Sequence, residues 1–171
     1  MARVNPIDEA AHPELASLIA DVKGQRGRVS ALYGTLLNSP PIAAGWLHFL
    51  TAVRRESSLP GQYRELVILR VALLNHAPYE FNAHRGPALE AGVSDAQMTA
   101  LTHWADSPLF SAEERAVLAY TDVMTKEVVV PESIYEPLKA IFSARELVEL
   151  TATVAAYNLG SRFLVALDVG H

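Results

Sequence analysis

Three side chains able to move protons, Glu65, Glu80 and His84, fall in one very apolar stretch, Tyr63 to Val93, reading YRELVILRVALLNHAPYEFNAHRGPALEAGV. Stripping water from a charge costs roughly several kcal/mol unless something replaces the water, so ionisable groups set on buried faces have a partner or a task. Glu80 and His84 are four residues apart and share one helix face, while Glu65 precedes them on a separate helix and is able to meet them across the pair. Such a set suits acid-base chemistry, because imidazole titrates near neutral pH and a neighbouring carboxylate moves it further into use. The plain alternative for Glu80 and His84 is an i, i+4 surface pair, and for Glu65 a helix-terminal acid or a partner of Arg64 or Arg70.

The elements that must position these groups follow from periodicity and punctuation. From Pro60 the chain runs to Asn75 without a breaker, with Leu66 to Leu69 and Val71 to Leu74 apolar nearly all round, which predicts a central helix. Asn75-His76-Ala77-Pro78 breaks it, and Pro78 opens a second helix ending near Gly92. Upstream, residues 1–12 read as a loose lead-in. Pro13 to Lys23 spaces Leu15, Leu18, Ile19 and Val22 on one helix face, with Gly24 and Gly27 ending it. Val29 to Asn38 predicts a short helix, and Pro40-Pro41 starts a third carrying Ile42, Trp46, Phe49, Leu50 and Val53. Downstream, capping boxes at Ser94/Gln97, Ser111/Glu114 and Ser143/Glu146 start helices over about 94–105, 112–127 and 144–167, with another short helix after Pro131. No sustained period-2 run is present, so the expected fold is all-α, one domain over residues 1–171.

Composition removes several classes of function. Half of the 171 residues are hydrophobic and 19% are charged, ample material for a core. A net charge of −5 and the lack of a Lys/Arg-rich run argue against nucleic acid. With no cysteine in the chain, disulfides, thiolate metal sites and thiol catalysis are excluded. The N-terminal segment lacks an apolar signal core, and no run reads as the ~18 apolar residues of a membrane span, so a cytoplasmic location and no membrane partner are expected. His76, Glu80 and His84 fall at intervals of four, which invites a metal reading. Pro78 disturbs that register and no H-E-x-x-H pattern exists, so no metal is expected. His12, His48, His76, His103 and His171 are read as structural or surface residues.

An ordered series of motifs resembles the carboxymuconolactone decarboxylase family, which shares an all-helical bundle with the alkylhydroperoxidase-D-like proteins. The series comprises SPPIAAGWLHFLTAVRRESSLP, R-E-L-x-x-L from Arg64, Y-E-F-x-x-H from Tyr79, A-G-V from Ala91, and Y-N-x-x-x-R-F from Tyr157. The peroxidase branch of that fold carries a Glu and then Cys-x-x-Cys-x-x-x-His. On this chain the Glu falls on Glu65, the Cys positions on Ala77 and Glu80, and the His on His84. The resemblance therefore implies the Cys-less, decarboxylase-like branch, since thiol peroxidase chemistry needs the sulfurs. It also implies a homo-oligomer, trimeric or hexameric.

The namesake substrate, gamma-carboxymuconolactone, carries one carboxylate on the ring carbon beside the ring oxygen and another on a side arm. Loss of carbon dioxide pushes electrons through the ring double bond into the lactone carbonyl, so no cofactor is required. The enzyme must stabilise that oxyanion, hold the surviving carboxylate, and protonate the carbon alpha to the carbonyl. In one assignment His84 is the general acid, oriented by Glu65 or Glu80. In the other, Glu80 carries the proton, desolvated beside Phe81, and His84 donates to the oxyanion. Arg162, Arg85 and Arg70 are the candidates for the substrate carboxylate, because the guanidinium fork binds two oxygens at once. Tyr79, Tyr157 and Asn158 join the candidate binding residues through the matched motifs. Arg162 has a structural alternative, neutralising the last helix. The expected function is that of a lyase on a small carboxylated lactone. The rivals are a non-catalytic oligomeric or small-acid-binding protein, and an isomerase or hydrolase of an enolisable ring compound.

Overall fold

The computed structural model describes residues 2–170, so His171 lies outside the described residues. Nine α-helices make up its architecture, with no strand among the described residues: α1 Ala16–Arg26, α2 Ala31–Leu36, α3 Pro40–Thr51, α4 Gly61–Leu74, α5 Pro78–Glu90, α6 Asp95–Ala100, α7 Ala112–Lys126, α8 Glu132–Lys139 and α9 Ala144–Leu167. Two compact units emerge, one formed by residues up to Glu56 with those from Leu164 on, the other by Ser57–Phe163.

In the first unit α1 and α2 pack on α3. Helix α1 does not stop at Gly24, since a single glycine costs a helix only ~1 kcal/mol. It stops at Gly27, whose φ of 78° gives a left-handed cap with its N–H on the Lys23 carbonyl. Arg26 reaches from the last turn to the Tyr33 hydroxyl and the Thr51 Oγ1, at 3.2 and 3.0 Å. The N-terminal lead-in is held more firmly than its composition suggests. The Ile7 N–H donates to the Gly34 carbonyl at 3.0 Å, and a Cβ at Gly34 would stand only 2.8 Å from Pro6 Cβ. Glycine is what lets the segment lie that close.

The second unit is built on α4, which packs against α5 and α7. Residues Leu66 to Leu69 are fully buried, as their all-round apolarity requires. Leu66 and Leu69 join Ala88, Val93, Met98, Ala100, Leu101, Phe110 and Leu118 in one cluster, edged by Leu73, Phe81 and Trp104. The break after α4 is sharp: His76 takes φ 53°, and the Ala77 N–H returns to the Ala72 carbonyl. Ser94/Gln97 and Ser111/Glu114 form reciprocal capping boxes, and Ser143/Glu146 shows the same pair of hydrogen bonds.

Helix α9 corrects one sequence expectation. At 24 residues it is long and apolar enough, by length and composition, to cross a bilayer. Leu150, Val154, Ala156, Tyr157 and Leu164 are buried, whereas Arg145 and Arg162 are exposed, the distribution of a helix with a core-facing side. Ser, Thr and Gly spaced between the aliphatic residues had masked its mean apolarity.

Glu149 on α9 fixes the segment that enters α4. Its Oε2 accepts from the Ser58 N–H, the Ser58 hydroxyl and the Leu59 N–H at 2.8, 2.7 and 3.0 Å, and its Oε1 from Arg145 Nε at 2.9 Å. Partial burial opposes its charge, but the donors from Ser58, Arg145 and Ser57 outweigh it and hold the carboxyl down at about 2. Because the folded pKa is depressed, this contribution is present above the ordinary value of 4.5 and is lost as pH falls toward about 2. Glu149→Ala removes the charged acceptor shared by Ser58 and buried Leu59, leaving the Leu59 N–H only the Ser57 hydroxyl at 3.1 Å, and is expected to cost about 1–3 kcal/mol in urea unfolding near neutral pH. A midpoint equal to that of the wild type would show that the tie carries no stability.

Candidate functional site

Helix α4 supplies Glu65, α5 supplies Glu80 and His84, and α9 supplies Tyr157. All four are buried: Glu65 and His84 are each 3% exposed, Tyr157 2% and Glu80 8%. The surface-pair reading of Glu80 and His84 therefore fails. His84 Nδ1 lies 2.7 Å from Glu65 Oε2, a short charge-assisted contact between helices. A carboxylate only accepts, so the proton on that edge belongs to Nδ1. The opposite edge is held more loosely. His84 Nε2 lies 3.4 Å from Glu80 Oε1 and 3.3 Å from the Tyr157 hydroxyl. The two rings meet edge to face, with centroids 5.2 Å apart.

Local sequence explains the arrangement. Glu80 sits in the first turn of α5, where the helix dipole favours a carboxylate, and one turn later His84 falls above it. Tyr157 and Gly160 are three apart on α9. A Cβ at Gly160 would stand 3.6 Å from Glu80 Oε2, so the α9 backbone runs directly beside that carboxylate. Burial disfavours the His84 imidazolium, but Glu65 and Glu80 together more than offset it, and the pKa of His84 ends above its ordinary value of 6.5. The result is a buried imidazole held closely on its Nδ1 edge and more loosely on its Nε2 edge, an arrangement able to carry a proton.

The other sequence candidates lie elsewhere. Arg70 is buried, with Nε and Nη2 each 2.6 Å from the two Asp122 oxygens and Nη1 on the Leu101 carbonyl. Arg85 is exposed on Asp95 at 2.9 Å, and Arg162 is exposed on α9. Asn158 spends its amide on structure, accepting from Asn75 and donating to Thr125 Oγ1 and the Val154 carbonyl. Tyr79 is half-buried in the first turn of α5. His76 is exposed in the break before α5, out of helical register with Glu80 and His84. The arginine beside the site is Arg64, whose Nε lies 3.5 Å from Glu65 Oε1. Sequence reading had weighed it only as a partner for Glu65. Its adjacency to Glu65 on the apolar α4 was the available signal.

Fold and site together define an all-helical protein of the alkylhydroperoxidase-D-like class, with a buried carboxylate-histidine pair and no cysteine in the chain. The backbone superposes on a peroxidase-related protein from Ralstonia eutropha with an alkylhydroperoxidase AhpD core. That match has TM-score 0.82 and 19% identity, and it covers 99% of this chain and 90% of the other. A protein of unknown function from Agrobacterium tumefaciens, ATU0492, matches with TM-score 0.74 and 26% identity over 79% of this chain and 93% of its own. The debrominase Bmp8 has the same fold, with TM-score 0.80 and 16% identity over 97% of this chain and 90% of its own.

The chain belongs to the carboxymuconolactone decarboxylase family, whose sequence model matches residues 40–123, a stretch that includes Arg64, Glu65, Glu80 and His84. Among its relatives, Escherichia coli YnjA is 33% identical over 129 residues, 73% of this chain. The chain spans 66% of YnjA, just under two thirds of that relative's length. Bacillus subtilis YdfG is 24% identical over 115 residues, covering 66% of this chain and 78% of its own. Tyr157 lies outside the family-matched stretch and completes the site from α9.

Proposed function

We propose that this protein is a cytoplasmic, cofactor-independent lyase acting on a small carboxylated lactone such as gamma-carboxymuconolactone, with His84 as the general acid. The observation that carries the reading is the His84 imidazole itself: buried, anchored through Nδ1 on Glu65, and, against the opposing effect of burial, held above its ordinary pKa by Glu65 and Glu80. Its looser Nε2 edge faces Glu80 and the Tyr157 hydroxyl. As carbon dioxide leaves, the bond electrons pass through the ring double bond into the lactone carbonyl. The proton on Nε2 then goes to the carbon alpha to that carbonyl, which restores the carbonyl and gives the enol lactone with its ring double bond shifted. Glu80 or Tyr157 returns a proton from solvent to Nε2. The electron sink is in the substrate, which is why the chemistry needs no further group.

The test is carbon dioxide release from gamma-carboxymuconolactone by the purified protein, with enolisable ring acids lacking the labile carboxylate followed in parallel by solvent deuterium uptake. Exchange without decarboxylation would replace the lyase reading with an isomerase. Silence in both assays would leave the small-acid-binding alternative.

The same reading takes the working form to be a homo-oligomer, trimer or hexamer. Val148 and Leu159 on α9 remain 69% and 49% exposed, large apolar groups that association would cover. Sedimentation equilibrium is expected to return three or six times the 18.6 kDa chain mass, and a monomer at micromolar concentration would end that part of the proposal.

A further inference from the structure

We infer that Arg64 is the receptor for a carboxylate of the ligand, seated beside the Glu65–His84 pair. Its side chain is only 19% exposed, yet its sole side-chain partner among the described residues is Glu65, through Nε at the long distance of 3.5 Å. Neither Nη group donates to any described protein acceptor. These groups are not sealed in either, because the one fully buried side-chain polar atom without a partner among the described residues is Thr35 Oγ1. The guanidinium thus presents an open two-nitrogen edge from a largely covered position, a setting in which a planar bidentate anion is the fitting ligand.

Two features hold that edge in place. The side chain folds back along α4, with Nη2 3.4 Å from where a Cβ would stand at Gly61, so glycine at the start of the helix leaves room for the fork. The two oxygens of Glu65 face different cations: Oε2 lies on His84 Nδ1 and Oε1 on Arg64 Nε. Guanidinium and imidazole are therefore neighbours across one carboxyl group. A carboxylate on the fork places its parent molecule next to the proton carrier. Arg70, by contrast, has its fork filled by Asp122, and exposed Arg85 already has Asp95.

The inference rests on the proton-transfer reading of the site for the identity of the ligand, a small lactone with a side-arm carboxylate. The probe is (5-oxotetrahydrofuran-2-yl)acetate, which keeps the lactone and side arm but lacks the ring double bond and the labile carboxylate, and so does not turn over. Its neutral primary amide is the control. Calorimetric titration near neutral pH is expected to show the wild type binding the acetate at least about tenfold more tightly than the amide. Arg64→Met, which keeps the stem, is expected to erase that preference, with acetate affinity falling about 10- to 100-fold. Arg64→Lys, with charge but no fork, is expected to fall between.

The inference is overturned if the wild type shows no preference for the acetate, if Arg64→Met keeps it, or if Arg162→Gln removes it in place of Arg64. Should Arg64→Met fail to fold by circular dichroism, the Arg64→Lys titration decides. Binding of an inert lactone requires no turnover, so the two proposals fail separately. Acetate preference dependent on Arg64 without carbon dioxide release from gamma-carboxymuconolactone removes only the lyase reading. Undiminished release and acetate binding by Arg64→Met remove only the role of Arg64.

Discussion

Replacing His84 with Gln is expected to lower kcat for carbon dioxide release by about 10²–10⁴-fold while leaving helicity and oligomeric state intact. Glutamine fills much of the imidazole's volume and is able to donate to Glu65, so the helix pair stays closed, but it carries no exchangeable acid proton. Two pH signatures separate this from a structural defect. The acid form of His84 is the active one, so wild-type kcat should be flat below the pKa of His84 and decline as pH rises through it, above 6.5. Stability follows the same sign. The folded pKa of His84 lies above the unfolded value, so its contribution is fully present below about 6.5 and is lost as pH rises through the folded pKa. Thermal melts of the wild type should show that decline, and the Gln variant should lack it. A Gln variant with wild-type kcat would take histidine out of the mechanism altogether.

The fold was readable because its instructions are local. A Ser followed three residues later by Glu or Gln satisfies helix N–H groups within one turn, so Ser94, Ser111 and Ser143 announce their helices without reference to anything distant. Pro78 acts in the same way. Glu80 and His84 were legible as a pair because helix geometry fixes their spacing, and Glu65 because a carboxylate on so apolar a helix needs a partner. The arginines were not legible, and the reason is range. What occupies the fork of Arg70 is Asp122, fifty-two positions away, and no feature near Arg70 announces it. Family motifs pointed to Arg162 and Asn158, but exposure and amide pairing are properties of the packed chain. Arg64 was passed over because a charged neighbour beside Glu65 suffices to explain it in sequence. Only the packed structure shows how little of its fork that neighbour uses.

That buried ion pair leads to the largest expected effect on stability. Asp122→Ala is expected to destabilise the protein by about 3–5 kcal/mol, measured as the shift in urea midpoint multiplied by the slope. Arg70 is 8% exposed in the middle of α4, and both of its fork contacts to Asp122 are 2.6 Å long. Burial opposes the Asp122 charge, but Arg70 first and Lys126 second hold its carboxyl below the ordinary carboxylate value. Removing the acid leaves the guanidinium with the Leu101 carbonyl alone, an uncompensated charge between α4 and α7. The wild-type contribution is present above the unfolded pKa of about 3.9 and is lost as pH falls through the depressed folded value, so Asp122→Ala should flatten the acid limb of the stability profile. The double variant Arg70→Met/Asp122→Leu is expected to recover much of the loss, since removing both charges also removes the cost of burying them. A single variant within about 1 kcal/mol of wild type would mean that water reaches the guanidinium. Recovery in the double variant, with carbon dioxide release retained, would show that the pair fixes α4 against α7 and takes no part in the chemistry.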